Sequence, residues 1–151
     1  MVANRDLSPA HQEAFVILQT ALEWAEPKTF TLLFACCNDR CLRAELVQKF
    51  QSQTQLKVRE ILLPPDVWLA YGTLKKALGS DRPQVLFVDG LDQVQDVIAA
   101  LRDWNAARNA FSRDFPFPVV IWLNCSVQRQ LVRVAKDLES WGTYVNFDET
   151  G

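Results

Sequence analysis

Short, almost uninterrupted apolar segments alternate along this chain with longer segments in which apolar residues recur at helical spacing. The apolar segments have the length of strands and are rich in β-branched and aromatic residues, as strands covered on both faces should be. They span residues 29–37, 57–63, 84–89 and 118–124, and residues 143–147 are a candidate for a short fifth strand at an edge. Strands that alternate with helices predict an α/β fold, in which a parallel sheet is flanked by helices on both faces.

The segments between the strands predict amphipathic helices. Ser8 and Pro9 are typical of the cap and the first position of a helix, and Gly142 is expected to end the last helix in a left-handed conformation. Five helices are expected, at about residues 9–26, 39–50, 64–78, 93–111 and 126–141. The resulting order is α-β-α-β-α-β-α-β-α, followed by the candidate fifth strand.

Length and composition suit one globular domain. The chain has 151 residues, of which 49% are hydrophobic and 23% charged, so it can bury a sizeable core without disulfides or metals. We therefore expect a single domain over residues 1–151, with its core at about 8–148. The formal net charge of -2 shows no basic excess of the kind that binds nucleic acid or an anionic membrane. The longest apolar run, residues 32–37, is far too short to span a membrane.

The numbers of cysteines and histidines limit the cellular compartment and the kinds of metal or catalytic site that we expect of this chain. Four cysteines without a signal peptide predict a cytoplasmic protein with free thiols. His11 is the single histidine, which excludes a metal site built from several histidines. Cys36, Cys37 and Cys41 lack the spacing of metal ligands and predict small hydrophobic side chains at a strand end. An enzyme of another class, on a flavodoxin-like sheet, would have to work with these thiols and with carboxylates.

Ligand sites in parallel sheets lie at the carboxyl ends of the strands, so the first strand-to-helix turn is the place for a phosphate-binding loop. Such a loop needs glycines, a lysine and a serine or threonine, and residues 35–43 contain none of these. Asn38, Arg40 and Arg43 remain as candidates to contact a phosphate, while Asp39 would repel one. The alternative is that both arginines are solvated residues in the first turn of a helix.

Two further strand ends carry polar residues that fit nucleotide chemistry. Asp89 follows four apolar residues, as in the Walker B pattern, where the acid holds Mg²⁺. Asp92 comes too late to be the usual adjacent acid, and Gly90 stands in that place. Asn124 ends the fourth strand, where a polar side chain often senses the terminal phosphate, but asparagine is also a common strand-end residue. These residues define a candidate site for ATP or ADP with Mg²⁺, against the alternative of ordinary turn residues.

A segment rich in aromatic residues lies before the fourth strand. Trp104, Arg108, Phe111 and Phe115 combine aromatic side chains with an arginine, a composition typical of protein–protein interfaces. These four residues are therefore candidates for an interaction surface. The alternative is that the aromatic side chains only seat the loop that enters strand four.

Four stretches of the sequence resemble a known family, the degenerate STAND-type P-loop NTPase domain of cyanobacterial multidomain proteins. They are ILLPPDVWLAYGTL, VLFVDGLDQV, WNAARNAFSRDFPFPVVIWLN and LVRVAKDLESWGTYVNF, at residues 61–74, 85–94, 104–124 and 131–147. The resemblance includes the pair Cys37-Asn38, the series Asn105, Arg108 and Phe111, and the closing signature at residues 133–141. Lys136 stands where the family frequently has a proline.

The resemblance implies a sheet with strand order 2-3-4-1, with strand five beside strand one, and a phosphate-binding loop that has been lost. It also implies a non-catalytic scaffold or regulatory module in signalling or assembly. Such a module would bind a protein partner, its own downstream domains or another copy of itself, through the first helix and residues 104–117. The chain would then be the N-terminal module of a longer protein or a stand-alone copy. The alternative function is a regulatory domain with residual weak binding of ATP or ADP.

Overall fold

Within residues 7–148, five parallel strands form one sheet in the order β2-β3-β4-β1-β5. The strands are β1 (Thr31–Cys36), β2 (Val58–Leu62), β3 (Val85–Asp89), β4 (Pro118–Leu123) and β5 (Gly142–Asn146). This order confirms the expected 2-3-4-1 arrangement with strand five beside strand one. It is consistent with the three-layer fold of P-loop NTPases.

The computed structural model describes residues 7–148. Residues 1–6 and 149–151, which the sequence analysis assigns to the same domain, lie outside the described residues. The helices are α1 (Pro9–Glu23), α2 (Arg40–Gln53), α3 (Ala70–Leu78), α4 (Val97–Ala106), α5 (Arg108–Asp114), α6 (Cys125–Val134) and α7 (Lys136–Ser140). Within residues 7–148, none of these helices combines the length and the apolar character that a membrane crossing requires.

Side chains of alternate strand residues point to opposite faces of the sheet and build two separate cores. In β1, Leu33 and Ala35 lie in the core beneath α1 and α2, whereas Leu32, Phe34 and Cys36 lie in the core beneath the remaining helices. All six residues of β4 are buried, because this strand lies at the centre of the sheet. β2 and β5 are the two edge strands and are less covered.

Two of the expected helices differ in the structure: one begins later in the sequence, and the other is interrupted. Helix α3 begins at Ala70 rather than at Pro64, because residues 64–67 form a turn in which the Val67 N–H donates to the Pro64 carbonyl at 3.1 Å. The long helix expected over residues 93–111 is replaced by a 3-10 turn (Leu91–Gln93) and by α4 and α5, which are separated at Ala107. The Phe111 N–H donates to the Ala107 carbonyl at 2.8 Å, so the chain starts a new helix at this point.

The last expected helix is also divided, at Ala135, into α6 and α7. The Leu138 N–H donates to the Asn105 side chain at 2.9 Å, so α4 satisfies an amide at the start of α7. The expectation for Gly142 is wrong, because this residue begins β5 and is not among the glycines with positive φ. A Cβ atom there would lie 2.1 Å from the Phe34 ring, so close packing of β5 on β1 requires the glycine.

Candidate functional site

A buried arginine lies between the carboxyl ends of β1 and β3, the region in which the sequence places the candidate nucleotide site. Arg43, in α2, is 1% exposed and is the one charged residue that is buried among those described. Its Nη1 donates to Asp89 at 2.8 Å and to Asp92 at 3.2 Å, and its Nη2 donates to Asp92 at 3.1 Å. Its Nε donates to the Cys37 carbonyl at 2.9 Å. We call Arg43, Asp89 and Asp92 the buried triad.

The local sequence explains how the buried triad is assembled. Asp39 caps α2, and Arg43 follows one turn later on the same stripe as the buried residues Val47 and Phe50. Gly90 turns the chain after β3 with a φ of 93°, and a Cβ atom at this position would lie 2.9 Å from both Leu62 and the Leu63 carbonyl. The glycine therefore lets the chain turn back at once, which brings Asp92 to the guanidinium group.

The charges in the buried triad stabilise one another. Burial by itself would lower the pKa of Arg43, but the hydrogen bonds and charges of Asp92, and then of Asp89, outweigh it and raise the pKa. A planar guanidinium that donates to two carboxylates is a geometry that arginine supplies and lysine does not. The Asp92 side chain is almost fully buried, whereas about a third of the Asp89 side chain is exposed. The triad is therefore a structural element in which one of the two carboxylates is partly open to solvent.

The main-chain N–H groups that could bind a phosphate already donate hydrogen bonds to carboxylates of the same chain. In the turn after β1, Asp39 accepts hydrogen bonds from the N–H groups of Cys41 and Leu42 at 2.9 and 3.1 Å. The Asn38 N–H donates to the Asp148 carboxylate at 2.7 Å. Anion-binding turns work by leaving such N–H groups free for the ligand. In this turn they already have anionic partners.

Both candidate asparagines connect elements of the fold. The Asn38 side-chain oxygen accepts from the Cys125 N–H at 3.0 Å, and its amide nitrogen donates to Cys125 Sγ at 3.3 Å. The Asn124 side chain caps α6 by accepting from the Val127 N–H at 2.8 Å. Arg40 is exposed at the first position of α2. Among the described residues, Arg40 is the one of the five candidates whose side chain makes no hydrogen bond or salt bridge, although Asn38 is also exposed and Asp89 is partly so.

The structure thus brings the two candidate residues Arg43 and Asp89 together, but their side chains form a salt bridge with each other. The alternative in which Arg43 is a solvated residue of the first turn is wrong, because its side chain is buried and makes four hydrogen bonds. The position of Arg43 on the apolar stripe of α2 is the sequence signal that could have identified it. Among the described residues, no group of three or more His, Cys, Asp or Glu side chains is arranged to hold a metal ion.

The aromatic segment before β4 is part of the core. Trp104, Phe111 and Phe115 are 0% exposed, and the rings of Phe111 and Phe115 lie 4.6 Å apart. Arg108 is partly exposed and donates to the Asn105 carbonyl at 2.7 Å, with Asp137 at 3.8 Å. The prediction that these residues form an exposed interaction surface is wrong. The break at Ala107 turns α5 so that its aromatic side chains pack on the sheet.

The thiols near the end of β1 are held in their protonated form. Burial is the main reason that the pKa of Cys36 is raised to about 12 and that of Cys37 to about 11. Neither residue can supply a thiolate nucleophile near neutral pH. Cys41 and Cys125 are exposed, and all four cysteines are free.

Several large apolar side chains that the sequence analysis did not select are exposed. They are Val16, Ile17 and Trp24 on or beside α1, Leu62, Trp68 and Leu69 around the loop after β2, Val132 on α6, and Trp141 after α7. Trp24 is 85% exposed, Leu62 69% and Trp68 63%. Trp68 and Leu69 fall outside the helical stripe of Tyr71, Leu74 and Leu78, which is the sequence signal that could have revealed their exposure.

A pocket of about 620 Å³ opens at the opposite end of the sheet, where the strands begin. Its walls include Leu22, Pro83, Phe117 and Pro118. Two acidic and two basic side chains also line it, namely Glu23, Glu26, Lys28 and Arg82. Since these charges balance, the pocket does not select a ligand by its charge.

Comparison with known protein families and with curated proteins does not identify a function. No known protein family matches the sequence, and no curated protein is similar to it. The fold and the contacts described above are therefore the basis for a function.

Proposed function

We propose that this protein is a non-catalytic scaffold or regulatory module, derived from a STAND-type P-loop NTPase that has lost its phosphate-binding loop. The observation that carries the proposal is the buried triad. Arg43 lies where the sequence places the nucleotide site, and its guanidinium group binds the same carboxylate, Asp89, that would hold Mg²⁺. The site is thus filled by the side chains of the protein.

Energetics support this interpretation. A ligand that took Asp89 from Arg43 would remove one charged hydrogen bond from a buried guanidinium group that keeps its two contacts to Asp92, which costs about 1–3 kcal/mol. That cost weakens binding by roughly one to two orders of magnitude. A nucleotide phosphate would also have to displace Asp39 and Asp148 from the turn after β1, where both accept hydrogen bonds from main-chain N–H groups.

The exposed apolar side chains supply the surface for a protein partner. The outer side of α1 carries Val16 and Ile17, and Trp24 follows at its end, in agreement with a docking role for the first helix. Large apolar side chains grouped on a surface are typical of interaction sites. The partner is another protein, a further domain of the same polypeptide or a second copy, and the free cysteines fit a cytoplasmic module in signalling or assembly.

A nucleotide titration tests the proposal. Thermal unfolding is followed with millimolar Mg-ATP, Mg-ADP and, as a control for ionic strength, magnesium with inorganic phosphate. A ligand at 100 times its Kd stabilises a protein by about 2.7 kcal/mol, which raises the Tm of a domain of this size by several degrees. We expect equal Tm values in all three solutions.

A saturable rise in Tm with ATP or ADP, absent with phosphate, would reject the scaffold function in favour of weak nucleotide binding. The variants Arg40→Ala and Asn38→Ala would then locate the ligand, because a nucleotide at the turn after β1 should lose affinity in both. Light scattering over a range of concentrations tests homotypic docking separately. A molar mass that rises with concentration identifies a second copy as the partner.

A further inference from the structure

An apolar surface with acidic surroundings lies beside the carboxyl end of β2. Leu62 ends this edge strand, and Trp68 and Leu69 follow on the loop that leads to α3. All three side chains are exposed, as are Pro64 and Pro65. We call Leu62, Trp68 and Leu69 the β2 patch. A tryptophan and two leucines grouped on one surface are the kind of side chains that anchor protein interfaces.

The loop that carries the β2 patch is held in place by the core. Val67 is buried, and its N–H closes the turn onto the Pro64 carbonyl. The Gln95 N–H donates to the Pro65 carbonyl at 2.8 Å, which connects the loop to the segment after β3. Trp68 and Leu69 are therefore exposed on a fixed backbone. A surface that is already ordered loses less conformational entropy when a partner binds.

The two chain segments that meet beside the β2 patch carry charges of one sign. The segments 60–74 and 89–101, which form this corner of the molecule, contain no lysine or arginine. They contain five acidic residues, namely Glu60, Asp66, Asp89, Asp92 and Asp96. Arg43 reaches this corner from α2 but is buried and already paired with Asp89 and Asp92. The exposed acids Glu60 and Asp66 are left to attract a positively charged partner.

We propose that the β2 patch binds a segment of another protein in which apolar anchor side chains alternate with lysines and arginines. The proposal rests on the function proposed above and specifies its partner. A second copy does not fit, because a two-fold contact through this surface would place Glu60 and Asp66 against an equally acidic surface. Nucleic acid and anionic membranes are repelled by the same charges.

Two fluorescently labelled peptides test this inference. Both form an amphipathic helix with the same leucine and tryptophan anchors, and they differ only in carrying lysine or glutamate at the remaining positions. We expect the lysine peptide to bind with micromolar Kd, measured by anisotropy, and the glutamate peptide to bind at least tenfold more weakly. Added salt should weaken the lysine peptide, because exposed charges are screened.

Variants locate the binding surface. The double variant Trp68→Ser, Leu69→Ser should lose at least tenfold in affinity for the lysine peptide, and Asp66→Asn should reduce its salt dependence. Trp141→Ser is the matched control, because Trp141 is also an exposed tryptophan but lies between α7 and β5, at the opposite edge of the sheet from β2. It should bind as the unmodified protein does.

The inference is overturned if the lysine peptide does not bind, if both peptides bind equally, or if the double variant keeps its affinity. These outcomes leave the proposed function standing as long as nucleotides do not change the Tm. Conversely, a Tm rise with ATP would reject the scaffold function even if the peptide bound. The two experiments can therefore fail independently.

Discussion

Arg43 joins three segments of the chain at one residue. The guanidinium group brings a positive charge between the carboxyl ends of β1 and β3, the part of a parallel sheet where ligand sites lie. Its four hydrogen bonds go to two carboxylates and one main-chain carbonyl. The arginine thereby connects α2 to the turn after β1 and to the segment after β3, and it contributes to the stability of the domain.

The first prediction concerns that stability. Arg43→Ala should lower the free energy of unfolding by about 3–5 kcal/mol, because it leaves Asp89 and Asp92 together without a counter-charge. Arg43→Lys should lose less, since the charge stays but the bidentate contact is lost. The measurement is urea denaturation at neutral pH, followed by tryptophan fluorescence.

Arg40→Ala is the matched control, because it removes the same charge three residues earlier from an exposed position. Its free energy of unfolding should stay within about 0.5 kcal/mol of the unmodified protein. If Arg43→Ala proves as stable as Arg40→Ala, the buried triad contributes nothing to folding and the explanation given for its geometry is wrong.

Among the strands and helices, two glycines differ in whether the surrounding structure has room for a side chain. Gly142 begins β5, and a Cβ atom there would lie 2.1 Å from the Phe34 ring, which is itself buried. Gly72 lies in α3, and a Cβ atom there would meet nothing within 4 Å. Strand β5 can therefore pack in this position only with a glycine at residue 142. Gly72, by contrast, only makes α3 less stable, because glycine loses more conformational freedom on folding than alanine does.

The second prediction follows from this contrast. Gly142→Ala should destabilise the domain by about 1–3 kcal/mol, the usual cost of overpacking a core, because the Phe34 ring or β5 has to move. Gly72→Ala should stabilise it by about 0.5–1 kcal/mol, since alanine is the better helix former. Both values come from thermal or urea unfolding. Equal effects of the same sign would show that the packing of β5 on Phe34 is not as described.

Local patterns predicted the strands, their parallel direction and the presence of helices that flank the sheet, because apolar periodicity is a property of neighbouring residues. They did not predict the breaks at Ala107 and Ala135. The second break places the Leu138 N–H on the Asn105 side chain, a contact across 33 residues that no local window contains. For residues 104–117 the sequence left two interpretations open, an exposed interaction surface or aromatic side chains that seat the loop before strand four, and the burial of Trp104, Phe111 and Phe115 agrees with the second.

For the whole molecule, the candidate residues lie at the carboxyl ends of the strands, where the sequence places them, but the pairing between them was not predicted. Arg43 and Asp89 are 46 residues apart in sequence. From sequence alone, Arg43 is not distinguished from the exposed Arg40 unless its place beside Val47 and Phe50 is weighed. The sequence of the turn after β1 offers none of the residues of a phosphate-binding loop, but the carboxylates that accept hydrogen bonds from its main-chain N–H groups, including Asp148, become visible only in three dimensions.

The last prediction concerns the stability of the whole domain at alkaline pH. The pKa of Cys36 is raised to about 12 and that of Cys37 to about 11, mainly by burial, from a value of 9.0 for an ordinary thiol. Below pH 9 both thiols are protonated in the folded and in the unfolded chain, and the stability is unaffected. Above pH 9 only the unfolded chain releases these protons, so the free energy of unfolding falls as the pH rises towards the folded-state values.

At about pH 10 each buried thiol should account for a loss on the order of 1 kcal/mol relative to neutral pH. The measurement is urea denaturation at both pH values under reducing conditions. Replacing Cys36 and Cys37 by alanine should flatten this dependence, whereas replacing the exposed Cys41 and Cys125 should leave it unchanged. If both double variants lose stability between the two pH values as steeply as the unmodified protein, the thiols at the end of β1 do not control alkaline unfolding, and other groups that titrate in this range do.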